Sequence, residues 1–180
     1  MLLLSSTPSN VLSALVAELT PPADAGAKER ETNTMLALRG LANAFTTAPG
    51  RRVMRERAPE ILPTLARVAR QKPSNLNKNG AIALATVALD YSILAAEQLL
   101  DAVHADALID TVNEVLVAQD SETVYRGAMA LGNLLVTNVC AAKIPGDKRR
   151  QGRERANKAA KASGESRMKA VVAEIERRAW

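Results

Sequence analysis

Apolar residues recur along this chain at the three- and four-residue spacing of amphipathic helices. Val11, Leu12, Leu15, Val16 and Leu19 form one stripe, which predicts a helix over Ser9–Leu19 that Pro21-Pro22 stops. The Ala-, Pro- and charge-rich stretch 21–31 reads as a surface loop. A second helix is expected from Asn33 or Thr34, either of which is a capping residue. Met35, Leu38, Leu41, Ala42 and Phe45 face inward on it, and Pro49-Gly50 marks its end. Arg51–Arg57 reads as a short basic helix or turn. A helix over about 59–71 follows, with Pro63 tolerable only in a first turn. The polar turn 74–80 leads into Ala81–Ala96, which is apolar almost all round and so belongs at the centre of the fold. Shorter helices are expected over 95–103 and 106–118, and then a helix capped by Asp120 or Ser121 that runs to about Thr137. In the last one, Met168, Val171, Val172 and Ile175 fall at i, i+3, i+4 and i+7.

Three of these helices echo one another. Ala37-Leu38-Arg39-Gly40-Leu41 returns 46 residues on as Ala83-Leu84-Ala85-Thr86-Val87, and 47 residues further as Ala130-Leu131-Gly132-Asn133-Leu134. A helical period of about 40–47 residues is that of armadillo and HEAT arrays. The fold expected is therefore all-α, an armadillo/HEAT-like right-handed superhelix of stacked helices. One helix per repeat lines the concave face of such an array, and the echoed segments are the candidates for that layer. On the first, Arg39 and Asn43 share the face opposite Leu38 and Leu41. On the third, Arg126, Asn133 and Thr137 lie near one outward stripe, and Thr86 and Asp90 hold comparable places on the second. Arg and Asn together suit an extended peptide, because Asn pairs with a peptide unit and Arg clasps a carboxylate. Asn43 and Asn133 fit equally well as partners for backbone groups between repeats. Asp90 would either repel an acidic ligand or order Lys78, and Tyr91 reads as packing.

Composition narrows the chemistry. Of 180 residues 47% are apolar, yet only four are aromatic. Ala and Leu supply most of the rest, as close-packed helices require. Cys140 is the only cysteine and His104 the only histidine, so neither an internal disulfide nor a zinc site is expected. No glycine turn or acidic cluster builds a catalytic centre around them, and no enzyme, cofactor or small-molecule substrate is expected. Met1-Leu2-Leu3-Leu4 is short, lacks a basic leader and is followed by Glu18, which fits neither a signal peptide nor a membrane span. A cytoplasmic or nuclear location is expected. Between Lys143 and Lys169 ten Lys and Arg face three acids, a local charge of +7 against +5 for the whole chain. With Gly146 and Gly152 in it, the stretch 143–164 reads as a basic loop or weak helix. It supplies a second functional reading, nucleic-acid or anionic-membrane binding, although no aromatic residues for base stacking accompany it.

Three stretches carry a resemblance: Asn33–Phe45, Asn77–Ser92 with its Asn-Lys-Asn-Gly-Ala-Ile-Ala-Leu opening, and Tyr125-Arg126-Gly127-Ala128-Met129-Ala130-Leu131-Gly132-Asn133-Leu134. Together with Ser166–Ile175 they resemble the PUL domain, the armadillo-like C-terminal module of the phospholipase-activating-protein family of ubiquitin-pathway adaptors. It also ends some thioredoxin-like and desumoylating-isopeptidase-like proteins. The resemblance implies a cofactor-free module that holds the acidic, tyrosine-bearing C-terminal tail of the hexameric AAA ATPase segregase, valosin-containing protein. Other ubiquitin-pathway partners would be met through domains outside this chain. It places the groove's arginines at Arg39 and Arg126, with Lys78 and Asn79 close by, so the candidate peptide-binding residues are Arg39, Asn43, Lys78, Asn79, Arg126 and Asn133. The PUL-like unit is expected over 33–180. The segment 1–32 departs from the family pattern, which has further helices there, and reads as a truncated first repeat or a minimal variant. An array lacking its first repeat should expose apolar surface.

Overall fold

Helix α1 spans Pro8–Glu18 in the computed structural model. The structure describes residues 8–19, 26–44, 46–57, 61, 64, 78–82, 84, 85, 88 and 102–178. Val16 and Leu19 are buried against α2, Ala27–Ala44, where Leu38 and Leu41 are fully buried. Helix α2 starts well before the expected Asn33 or Thr34. Ala27-Lys28-Glu29-Arg30-Glu31 are helix formers, and Glu29 in the first turn complements the helix dipole. Thr34 is therefore no cap. It lies buried in the helix and its hydroxyl donates to the Glu18 carbonyl at 3.3 Å, which ties α2 to the end of α1.

Pro49-Gly50 does not end α2, which stops at Ala44. Both residues fall in the first turn of α3, Ala48–Glu56. Proline is accepted there because the first amides of a helix have no partner within it. Gly50 is required by the tight return from α2, since a Cβ on it would lie 1.9 Å from the Ala44 carbonyl oxygen. Helix α3 leans on α1, with Arg57 donating to the Ser13 hydroxyl at 2.8 Å.

The described residues from 78 to 88 are helical, and Ala81, Leu84 and Ala88 are fully buried, as the central place expected for them requires. Helix formation is already under way at Lys78, earlier than the expected Ala81. Of the helix expected over 59–71, Ile61 and Thr64 are described and are helical. Phe45, Thr86, Asp90, Tyr91 and the His104 side chain lie outside the described residues.

Helices α4 (Ala102–Val115), α5 (Ser121–Leu134), α6 (Asn138–Lys143), α7 (Gly146–Ser163) and α8 (Ser166–Arg178) complete the described chain. Asp120 is the cap of α5, its carboxylate accepting the Thr123 amide at 2.7 Å and the Thr123 hydroxyl at 2.6 Å. Helix α5 ends at Leu134, short of the expected Thr137. Thr137 instead caps α6, with its hydroxyl oxygen accepting the Cys140 amide. The Met168, Val172 and Ile175 stripe of α8 is buried as expected, with Val171 at its edge. The buried faces of all these elements merge into one apolar core. No strand occurs among the described residues, and the architecture is all-helical and armadillo-like. The echoed leucines Leu38, Leu84 and Leu131 are each fully buried.

Helix α7 replaces the basic loop or weak helix expected over 143–164. It runs 18 residues, and Gly152, Ala156 and Ala160, spaced four apart, are its buried seam. That seam lies against α4, α5 and α8. The basic residues flank it and find acids on the neighbours. Lys148 bridges Asp106 and Asp110 of α4, both at 2.7 Å, and Arg153 pairs with Glu176 of α8. Arg155 donates to the Asn113 carbonyl, and the Asn113 amide donates to the Lys148 carbonyl at 3.2 Å. Among the described residues no helix is long and apolar enough to cross a membrane, and no cluster of His, Cys, Asp and Glu could hold a metal ion.

A Cβ on Gly152 would lie 2.8 Å from the Asn113 Oδ1 and 3.2 Å from a Leu131 methyl. Gly152→Ala is expected to lower stability by about 1–3 kcal/mol despite the better helix propensity of Ala, as overpacked cores do. Gly146→Ala, at the open end of α7, is expected to change it by less than about 0.5 kcal/mol. Urea denaturation midpoints of the two variants check the contrast.

Candidate peptide-binding site

Residues 38 and 42 of α2 lie one turn apart, and so do 39 and 43. The first pair turns toward the core and the second to its rim. The described residues from 78 to 82 stand opposite. Together these two segments enclose a hollow of about 360 Å³ lined by Leu38, Ala42 and Ile82 below and by Arg39, Asn43, Lys78 and Asn79 around it. Arg39, Asn43 and Lys78 are exposed and Asn79 is half-buried. No carboxylate among the described residues pairs with Arg39 or Lys78. Four of the six candidate residues thus share one hollow. It offers two cations and two amides over an apolar floor, which is chemistry for holding an anionic peptide, with no nucleophile or general base in the lining.

Arg126 and Asn133 do not line that hollow. They sit seven residues apart on α5, two turns along one face. Asn133 donates its amide to the Ala85 carbonyl at 3.0 Å, so it satisfies a backbone group between two of the echoed helices. Arg126 is half-buried and donates from Nε to Glu122 Oε1 at 2.9 Å. Arg167 of α8 holds the other carboxylate oxygen of Glu122 at 2.7 Å, and its guanidinium lies 4.5 Å from the centre of the Tyr125 ring. The Arg126 guanidinium lies 5.4 Å from the same ring. Glu122, Tyr125, Arg126 and Arg167 form one cluster that fastens α8 to the first turns of α5. The α5 face and the hollow meet through the central helical residues, where Ala85 accepts from Asn133 and Ile82 lines the hollow.

Two members of this cluster, Glu122 and Arg167, are not among the candidates that the sequence offers. Glu122 precedes Arg126 by four residues, the spacing of a helical ion pair, and that signal was present. Arg167 lies 45 residues from Glu122 and nothing local announces it.

Burial alone would raise the Glu122 carboxyl, but the hydrogen bonds from Arg167 and Arg126 outweigh it and hold the group below its ordinary 4.5. The Arg153 and Asn157 hydrogen bonds likewise lower Glu176. The Arg177 hydrogen bond, aided by Arg178, brings Glu174 down to about 2. Cys140 is buried and its thiol is pushed up to about 11, so it is protonated at neutral pH.

The family model described as "PUL domain" matches residues 2–174. A phospholipase A-2-activating protein of Xenopus laevis is 33% identical over 107 residues, which are 59% of this chain and 13% of that protein. The chain thus matches only a small part of the length of that curated relative. No solved structure matches the chain.

The three depressed carboxylates set the acid response of the α5–α7–α8 end. A lowered folded-state pKa contributes stability above the unfolded value, and that contribution disappears as pH falls through the folded value. Stability is therefore expected to be flat above about pH 4.5 and to fall between there and about pH 2. In Glu122→Gln this decline is expected to be shallower and the plateau lower. Thermal melts across pH 2–7 check it.

Proposed function

The chain belongs to the PUL domain family, and from that footing we propose that it is a protein-interaction module of the ubiquitin pathway whose hollow between α2 and residues 78–82 holds an acidic, tyrosine-bearing C-terminal tail. The family match and the likeness to a phospholipase A-2-activating protein support the interaction role. The tail is that of the AAA ATPase segregase, valosin-containing protein, and the resemblance to the family points to it.

One observation carries the proposal. Arg39 and Asn43 of α2 meet Lys78 and Asn79, far away in sequence, around one apolar-floored hollow, and neither cation is engaged by an acid among the described residues. An unpaired guanidinium and ammonium close together repel each other until an anion joins them, so the hollow favours a carboxylate-rich ligand. Each charge-assisted hydrogen bond to such a ligand contributes about 1.5–3 kcal/mol. The two asparagines hold the peptide's backbone donors and acceptors, and Leu38, Ala42 and Ile82 take up an apolar part of the tail. Arg126 and Asn133 act at one remove. They keep α5 seated on α8 and on the central helical residues that carry Lys78 and Asn79.

The alternative reading through the basic stretch loses support, because Lys148, Arg153, Arg155 and Arg167 are all committed to partners within the protein. The remaining cations of α7 share its outer surface with Asp147 and Glu154.

Titration with a synthetic acidic tail peptide that carries a tyrosine tests the proposal. Arg39→Ala and Lys78→Ala are each expected to weaken binding by about tenfold or more, and affinity is expected to fall as salt is raised. Arg126→Ala is expected to lower the melting temperature while sparing most of the affinity. Unchanged affinity in the double variant Arg39→Ala/Lys78→Ala would overturn the site.

A further inference from the structure

The turn between α4 and α5 and the outer half of α7 enclose a second hollow, of about 430 Å³. It belongs to different helices from the first, and none of the six candidate residues lines it. Its size lies within the roughly 300–1,000 Å³ of ligand pockets. Leu116, Val124 and Met168 form its buried base. Val117, on the wall, is 61% exposed, the most exposed of the large apolar residues of the described chain. The apolar part of the α7 wall is Ala159 and Ala162, whose small side chains leave the space open.

The charges around the rim are unbalanced. Lys158 is exposed and no acid among the described residues pairs with it. Arg155 spends one N–H on the Asn113 carbonyl. The single acid of the rim, Glu165, already accepts from Arg167 at 2.6 Å. The free charge at the mouth is therefore positive, while the base is apolar. An apolar recess with a few polar and charged groups at its rim has the lining of a binding pocket.

The geometry points to a second binding site that takes a protein segment with one bulky apolar side chain next to a carboxylate. The apolar side chain enters over Val117, Ala159 and Ala162, and the carboxylate reaches Lys158. The site is independent of the one at Arg39, so the module can hold two segments at once. The apolar anchor supplies the affinity by burial, and the Lys158 pair, near the rim, sets rate and selectivity.

The test uses the whole chain, labelled with ¹⁵N, and the capped peptide acetyl-Asp-Glu-Phe-Leu-Glu-Asp-amide, which has no free C-terminal carboxylate. Saturable shifts are expected at the amides of Val117, Gln119, Ala159 and Ala162. Lys158→Glu is expected to weaken binding by about tenfold. Ala159→Trp, which fills the hollow, is expected to abolish it, and Arg39→Ala to leave it unchanged. Lys158 is exposed and Ala159 is half-buried at the edge of the core, and an unchanged melting temperature establishes that each variant folds. Equal binding of a peptide with Ser-Ser in place of Phe-Leu would overturn the proposal. So would shifts confined to Arg39 and Asn43, or association with phosphatidylserine vesicles but not with the peptide.

Discussion

A stacked helix pair cannot bury its apolar face alone, and the fold depends on how this chain passes that face from one repeat to the next. Leu38, Leu84 and Leu131 do so, each fully buried on one of three echoed helices. Apolar burial of this kind is worth about 1.5–3 kcal/mol per side chain of that size. An alanine precedes each of these leucines, a residue small enough to let backbones come close. Polar links then set the register. Thr34 bonds the Glu18 carbonyl, and Asn133 bonds that of Ala85, so each carbonyl gains a partner from another helix.

The basic residues of the described chain divide into two populations with different physical roles. Lys148, Arg153 and Arg167 lie between helices and join α4, α5, α7 and α8 through carboxylates. Arg39, Lys78 and Lys158 stand at the rims of hollows without an acid at hand among the described residues. A net charge of +5 says nothing of this division. Only the three-dimensional arrangement distinguishes a cation that staples the protein from one that awaits a ligand.

Where apolar side chains were large, the helices could be read from the chain. The Met168, Val172 and Ile175 stripe predicted α8, and Asp120 announced α5. Helix α7 escaped because its buried face is Gly152, Ala156 and Ala160, which carry almost no hydrophobic signal, among lysines and arginines that look like a solvated tail. The start of α2 escaped because Ala27–Glu31 is charged, which resembles a loop until its helix propensity is counted. At the site, the spacing of Arg39 and Asn43 placed them on one helix stripe. Their meeting with Lys78 and Asn79 is a tertiary fact that periodicity cannot express, and the family resemblance supplied it. Arg126 reads as a free groove residue in the sequence, although its acid, Glu122, stands one helical turn before it; Arg167, which shares that acid, is remote.

The lone cysteine has a consequence of its own. Cys140 sits fully buried just after the α5–α6 turn, with its thiol pushed up to about 11. Thiol reagents attack the thiolate, so they meet neither the reactive form nor an open path while the fold is closed. Alkylation of this one sulfur can then proceed only through transient opening of the molecule, and its rate is a built-in clock for how often the C-terminal helices breathe.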